Sequence, residues 1–357
     1  MALPDGSRRI GFLLNPIAGM GGRVGLKGTD DKVDLARELG AEPRAPRRGR
    51  RALEALRAVD PDVALLTPGE PMGAAEARMA GFDPVVVHRP AEPTTAADTR
   101  SAVVALCDRG VDLVLFVGGD GTAADVAEAI AEGVPMLGVP AGVKMFSSVF
   151  AATPADAGRL AATFEDVEGR EVMDIDESAY REGRVAAELL AVVDVPIGTA
   201  IQGGKQLASG DVTGLAEGFA DDVDPEVTYV LGAGSTVGEI KRALGFEGSP
   251  LGIDVWRDGE VLALDANETT LLELVEPPAV AVVSPIGGQG FILGRGTQQL
   301  SPRVLRRCDL EVVATKTKLD AIDVLRVDTD DPELDEALRG WIKVRVDRHE
   351  RRMMKVV

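Results

Sequence analysis

Five residues, Gly118-Gly119-Asp120-Gly121-Thr122, set one carboxylate and one hydroxyl in backbone that three glycines leave bare. Glycine lets the main chain approach a ligand closely and adopt positive φ. A run that is apolar but for Asp112, residues 111–117, leads into the loop, and an Ala/Glu-rich helical pattern leads out of it. Such a bounded run reads as a buried strand and the following pattern as a helix. The loop then lies at the carboxyl end of a strand and the amino end of a helix, where open α/β sheets bind ligands. Backbone N–H groups and the helix dipole favour an anion there, above all phosphate. Asp120 adds a carboxylate where phosphate, a metal ion and an acceptor hydroxyl could meet. The plain alternative is a strand-to-helix turn capped by the Asp or the Thr.

Gly119-x-Gly121-x-x-Ala124 also fits the loose dinucleotide fingerprint. That pattern wants an acidic residue after the next strand. Here the next strand, residues 134–139, runs into Pro140-Ala141-Gly142-Val143-Lys144, so the plain Rossmann reading is the weaker one. Lys144 stands at a strand's carboxyl end, where it either neutralises phosphate charge or sits on the surface of a hinge.

The elements that must position Asp120 alternate through the first half of the chain. Residues 9–14 read as the first strand and end in Asn15-Pro16-Ile17-Ala18-Gly19-Met20-Gly21-Gly22. No Walker A spacing passes through this loop, because Lys27 follows Leu26 rather than a glycine. Helices are expected over 31–39, 50–58, 74–79 and 96–107, and strands over 62–67 and 84–88, the latter at an edge. The alternation implies a parallel sheet covered on both faces. Three loops, 15–22, 68–73 and 118–122, could line one crevice.

From Gly169 the rhythm changes. Residues 171–180 and 184–196 are β-prone, with a turn at Glu182-Gly183, and imply a β-rich second domain. Residues 211–223 read as an acidic loop or short helix. Residues 228–231 lead into Gly232-Ala233-Gly234-Ser235-Thr236, a third strand–glycine loop–helix unit. A hairpin is expected around Arg257-Asp258-Gly259. Asn267-Glu268 reads as a capped turn or a substrate contact. Residues 279–284 form a buried strand that ends in Pro285-Ile286-Gly287-Gly288-Gln289-Gly290-Phe291. Gly294-Arg295-Gly296-Thr297-Gln298-Gln299 follows, amides and glycines beside an Arg, a plausible grip for sugar or phosphate.

The GGDGT loop resembles the signature of the superfamily shared by NAD kinases, diacylglycerol kinases and sphingosine kinases. Asn15-Pro16-Ile17-Ala18-Gly19 is similar to the Asn-Pro-x-Ala/Ser-Gly segment that opens many members. Asn267-Glu268 is similar to the Asn-Glu/Asp element of NAD kinases. Ser284-Pro285 and Gly287 match their Thr-Pro-Thr-Gly-Ser-Thr-Ala-Tyr segment, while Gly288, Gln289 and Gly290 depart from it by removing hydroxyls. In order along the chain these motifs resemble a divergent ATP-NAD kinase. The resemblance implies an NAD kinase-like α/β fold, with a Rossmann-like parallel first domain and a β-rich second domain. The expected divisions are 1–143, 144–305 and a C-terminal segment, 306–357, packing back on the first domain.

The resemblance further implies ATP or polyphosphate as donor, Mg²⁺, and NAD as acceptor through the 2′-hydroxyl of its adenosine ribose. Asp120 would then be catalytic. Asn15, Gly19, Gly118, Gly119, Gly121, Thr122 and Lys144 would hold phosphate or nucleotide, and Asn267, Glu268, Ser284, Gly287, Gln289 and Arg295 would hold substrate. A homo-oligomer is expected. Two other readings stay open: a GGDGT kinase of another small-molecule or lipid alcohol, and a non-catalytic nucleotide sensor.

Composition bounds the rest. At 357 residues the chain can bury a substantial core, and 45% hydrophobic with only 4% aromatic residues makes that core aliphatic. No run reaches transmembrane length and residues 1–9 lack a signal-peptide core, so a cytoplasmic protein with no membrane partner is expected. Cys107 and Cys308 support neither a disulfide framework nor a zinc site. The net charge is −19, with nine lysines against 30 arginines. An acidic excess of this kind suits high internal salt, where screening weakens self-repulsion, and an extreme halophile is the expected source. It also argues against a nucleic-acid partner. The one basic cluster, residues 44–51, reads as a solvated loop, with polyanion contact as the alternative.

Overall fold

The computed structural model describes residues 8–22, 24, 33–38, 40–142, 145–175, 187–197 and 212–357. Lys144 and the expected turn at Glu182-Gly183 lie outside the described residues.

The first half folds as its apolar runs require. Strands β1 (Arg9–Leu14), β2 (Ala64–Pro68), β3 (Val85–His88), β4 (Leu113–Gly118) and β5 (Met136–Pro140) form a parallel sheet in the order β3-β2-β1-β4-β5. Helices α1 (Val33–Glu38), α2 (Ala45–Val59), α3 (Ala74–Met79), α4 (Ala96–Cys107) and α5 (Asp120–Ala129) lie between them, and α6 (Pro154–Thr163) follows β5. α2 packs on α6 and α4 on α5, so β2, β4 and β5 are buried along their whole length. Strands hidden on both faces read as unbroken apolar runs, which is why they were legible.

Chain order reverses between β1 and β4. β1 leads outward to β2 and β3, whereas β4 and β5 lie on its other side. Ligands of open sheets bind at such a switch point, beyond the carboxyl ends of the strands. Leu14 is in register with Val117 and Gly118 with Pro140, so the loops leaving β1, β4 and β5 begin side by side.

A long antiparallel hairpin follows, β6 (Val167–Ile175) with β7 (Ala187–Pro196). The sequence reading gives this hairpin to the second domain. In the structure Val172 and Val195 are fully buried in the core of the first sheet, while Val192 on the opposite face is 63% exposed. The period-two pattern announces a half-buried strand, but not which core its inner face meets.

The remaining chain contains α7 (Thr213–Asp221), β8 (Thr228–Leu231), α8 (Ser235–Ala243), β9 (Asp254–Arg257), β10 (Glu260–Ala263), α9 (Glu268–Leu274), β11 (Ala279–Val283), β12 (Phe291–Leu293), α10 (Pro302–Leu305), β13 (Asp309–Val313), α11 (Lys316–Asp320), β14 (Arg326–Val327), α12 (Pro332–Leu338), β15 (Gly340–Arg345) and β16 (Arg351–Val356). Seven of these strands make a mixed sheet in the order β10-β9-β8-β11-β13-β15-β16. Successive side chains feed two cores: Ala281 and Val283 join one, and Val282 joins the other. Asp258 (φ 47°) and Gly259 (φ 80°) close the expected β9–β10 hairpin in the left-handed pair that an Asp-Gly turn favours.

Two expectations are corrected here. The segment from 306 onward extends the second sheet through β13, β15 and β16 rather than packing back on the first domain, because its Val-rich strands continue the ladder beside β11. Its 328–330 loop reaches the first domain at α2. The basic cluster at 44–51 is not a solvated loop. α2 begins at Ala45, Pro46 suits its first turn, and Arg48 is 1% exposed.

Candidate active site

Of the three loops expected to line one crevice, 15–22 and 118–122 meet each other, while 68–73 meets the end of β1, where Leu14 N donates to Met72 O (2.9 Å). Asn15 N donates to Val117 O (3.0 Å), and Asn15 Nδ2 donates to Thr122 Oγ1 (3.2 Å). Asn15 Oδ1 in turn accepts Ile17 N (3.2 Å), which folds the chain back after β1. Thr122 is buried in the first turn of α5, and its side chain occupies the space that a Cβ on Gly118 would need. Gly19 holds φ at 74°, and a Cβ there would come within 2.0 Å of Ala141 O. The loops after β1, β4 and β5 therefore meet backbone to backbone. Gly121 has open space around it.

Asp120 stands half-buried at the start of α5. Its Oδ2 accepts Phe146 N (2.8 Å) and its Oδ1 accepts Ser147 N (2.9 Å). Both donors belong to the strap that leaves β5 and turns back to pair with it at Gly138 and Phe150. Two N–H groups on one carboxylate fix its plane and the direction of its remaining lone pairs.

The second domain grips the same strap. Gln289 Nε2 donates to Met145 O (2.9 Å), and Gln298 Nε2 donates to Gly142 O (3.3 Å). Arg295 Nη2 donates to Ala152 O (2.6 Å), its Nε lies 3.2 Å from Asp328 Oδ2, and its guanidinium sits 4.5 Å over the Phe291 ring. Burial pulls the Arg295 pKa down to about 10, against the opposing charge of Asp328. Gln289 and Arg295, expected to touch substrate, thus reach the strap beside Asp120, where they bond protein groups.

Behind the crevice lies a buried ion network that sequence reading missed. Arg48 Nη1 is 2.6 Å from Asp330 Oδ1, and its other amino group pairs with Asp328. Arg48 Nε also donates to Pro140 O. Arg44 Nε donates to Asp330 Oδ2 (2.7 Å), and Arg47 stands 3.2 Å from the same oxygen. Burial alone would raise the pKa of Asp330, but Arg48, Arg44 and Arg47 outweigh it and hold the carboxyl well below the usual range. Asp328 is held down likewise, by Arg48 and Arg295 against its burial. The available signal was charge: an acidic run at 328–331 late in the chain opposite an Arg-rich run at 44–51.

The substrate residues expected elsewhere divide into two groups. Asn267 and Glu268 border a cavity of about 420 Å³ together with Gly19, Met20, Arg44 and Arg47, so this pair does face the first glycine loop. Asn267 Oδ1 accepts Thr270 N (3.0 Å) as the cap of α9, which is the capped-turn reading. Ser284 is engaged within the second domain: its Oγ and Thr236 Oγ1 each lie 3.0 Å from Lys318 Nζ. Gly287 is buried in the loop after β11.

Comparison with known proteins bears directly on this arrangement. Residues 10–168 match the ATP-NAD kinase N-terminal domain, and residues 224–356 match the ATP-NAD kinase C-terminal domain. The chain belongs to the ATP-NAD kinase family. The N-terminal match contains Asn15, Asp120 and the strap, and the C-terminal match contains Gln289, Arg295, Gln298, Asp328 and Asp330. The residues that meet around Asp120 are therefore drawn from both family-matched regions. No curated protein matches the chain. Two solved structures described as "a putative diacylglycerol kinase from Bacillus anthracis str. Sterne" are 18% identical, with a TM-score of 0.26. Those matches cover 48% of this chain and 46% and 44% of the other chains, so the chain spans about half the length of the solved structures it matches. Among the described residues, no helix is long and apolar enough to cross a membrane, and no three His, Cys, Asp or Glu gather to hold a metal ion.

Proposed function

We propose that this ATP-NAD kinase family protein is an NAD kinase, transferring the γ-phosphoryl group of ATP to the adenosine-ribose 2′-hydroxyl of NAD. The observation that carries the reading is Asp120: a carboxylate oriented by Phe146 N and Ser147 N at the switch point of a parallel sheet, inside a glycine crevice. Phosphoryl transfer asks mainly for positioning and charge neutralisation. Backbone N–H groups of the 118–122 loop and the amino end of α5 hold donor phosphates. Asn15 and Thr122 lock that loop to its neighbour. Asp120 orients the acceptor hydroxyl and receives its proton as the new P–O bond forms, a task for which a weak base suffices.

Mg²⁺ fits this donor set, since it is commonly held by one or two carboxylates together with substrate phosphates, and it would neutralise phosphate charge when bound. Asp120 is the carboxylate of the crevice placed to touch it. Polyphosphate could replace ATP on the same loops.

A second acceptor alcohol is favoured by one observation. The Ser and Thr that follow the first glycine of the NAD kinase segment are here Gly288 and Gln289, and the Gln289 amide is directed at Met145 O. The deciding experiment is NADP formation from NAD, ATP and Mg²⁺ by purified protein, in molar KCl and in dilute buffer. NADP in either medium supports the reading. ATP binding with no NADP from folded protein moves the assignment to another alcohol, to be sought among polyols, nucleosides and lipid head groups.

A further inference from the structure

The two ends of the seven-stranded sheet carry side chains that phosphoryl transfer does not use. At one end the β15–β16 register sets Trp341 opposite Lys355, Lys343 opposite Met353 and Arg345 opposite Arg351. Alternate residues of a strand share a face, so these six stand on one side of the sheet. Trp341 is 67% exposed and is the one exposed aromatic side chain among the described residues. Met353, its diagonal neighbour, is exposed as well. Glu311 and Asp222 are taken by Arg345. Among the described residues no carboxylate pairs with Lys343, Lys355 or Arg351. A cationic face of this kind is out of character in a chain of net charge −19. Trp, Met and Arg together are the composition of a contact surface rather than of ordinary solvent-facing surface.

The other end has the complementary chemistry. β10 is the last strand there and, among the described residues, pairs with β9 alone. Val261, Leu262 and Leu264 are exposed on it and just beyond it. Asp258 and Glu260 flank them with no ion pair among the described residues, and Arg257 is the single cation of that hairpin. An open strand edge is also a template for another chain. Neighbouring strands lie about 4.8 Å apart, which holds the two ends of the sheet about 29 Å from one another. At about 0.1 M salt that separation exceeds the Debye length, so the opposite charges cannot satisfy each other within one chain. Between chains they can.

We infer that copies of this chain associate head to tail, the β10 edge of one seated on the Trp341 face of the next. Val261, Leu262 and Leu264 cover the indole and Met353, while Asp258 and Glu260 meet Lys343, Lys355 and Arg351. Two different surfaces make the contact, so it is heterologous and builds rings or open chains rather than a two-fold dimer. Both surfaces are small, so the association is weak and depends on concentration.

Sedimentation of the full chain in about 0.15 M KCl, from micromolar to millimolar concentration, reads the assembly. Wild type exceeds the monomer mass as concentration rises. Its Trp emission shifts to the blue as Trp341 is covered, because the other Trp, Trp256, is only 5% exposed to begin with. Trp341→Ser with Lys355→Glu removes the face, and Leu262→Ser with Glu260→Lys removes the edge. Each of these variants alone stays monomeric. Mixed, the first supplies an edge and the second a face, and they stop at a one-to-one pair. All four substituted side chains are exposed, so thermal unfolding stays near wild type and separates a lost contact from a lost fold. A wild type that is monomeric throughout the range overturns the inference. If its Trp emission then shifts to the blue on anionic phospholipid vesicles, the face belongs to a lipid surface instead. An edge variant that still assembles beside a monomeric face variant makes the contact one between like faces, and overturns the head-to-tail assignment. So does a mixture of the two variants that stays monomeric.

Discussion

Arg48 Nη1 on α2 lies 2.6 Å from Asp330 Oδ1, a carboxylate 282 residues further along the chain. The pair joins the first sheet to the second directly behind the glycine crevice, and Arg48 is anchored in turn on Pro140 O at the end of β5. The network is one tie between the two halves of the chain, beside the bonds from Gln289 and Arg295 to the 145–152 strap.

Acid should release it. Asp328 and Asp330 both titrate below the ordinary carboxylate range in the folded protein, because Arg48 and its neighbouring arginines outweigh burial. A depressed folded pKa contributes stability that is fully present above the unfolded value of about 3.9 and is lost as pH falls through the folded values. Urea midpoints should depend little on these two groups from pH 7 to about pH 5 and decline below about pH 4. Asp330→Asn should make that decline shallower. An acid limb of unchanged steepness in the variant contradicts the assignment.

Removing the cation alone is worse than removing the pair. Arg48→Met leaves two carboxylates buried and undercompensated, and the expected loss is about 3–5 kcal/mol from unfolding in denaturant. A loss under about 1 kcal/mol would mean that the network is dispensable.

Gly19→Ala tests the close approach of the first two loops to β5. At φ 74°, with Ala141 O 2.0 Å from the new Cβ, the substitution forces the 15–22 loop away from the 140–142 segment. The left-handed conformation alone costs about 1–2 kcal/mol for a non-glycine residue. ATP affinity should fall about tenfold or more if the loop cradles phosphates. Unchanged ATP affinity in a folded variant removes the 15–22 loop from the donor site.

Asn267 separates a cap from a substrate contact. Its Oδ1 is already spent on Thr270 N, so Asn267→Ala should cost about 1 kcal/mol of stability and leave NAD affinity within about threefold. A tenfold loss of NAD affinity with stability intact would reverse that assignment and place the 420 Å³ cavity in the NAD site.

Much of this was legible because some signals are local. β4 is apolar from end to end and stops at glycines, so its place inside a sheet and the position of Asp120 beyond it followed from a short stretch of pattern. The Asp-Gly turn at 258–259 was equally local. What could not be read depends on partners far along the chain. Residues 44–51 look like a solvated loop until Asp328 and Asp330 arrive to neutralise them. The inner face of the β6–β7 hairpin is visible in its alternation, but nothing in the pattern says that Val172 and Val195 meet the first core. The role of Phe146 and Ser147 is carried by backbone N–H groups, to which residue type gives no clue.

The most direct test of the central claim is the rate of NADP formation by Asp120→Asn beside wild type, with ATP affinity measured on the same preparations. The side chain keeps its size and one acceptor oxygen but loses the charge that receives the proton. The account predicts a fall in kcat of about 10²-fold or more with ATP affinity largely unchanged. A variant that forms NADP at near wild-type rate would contradict it.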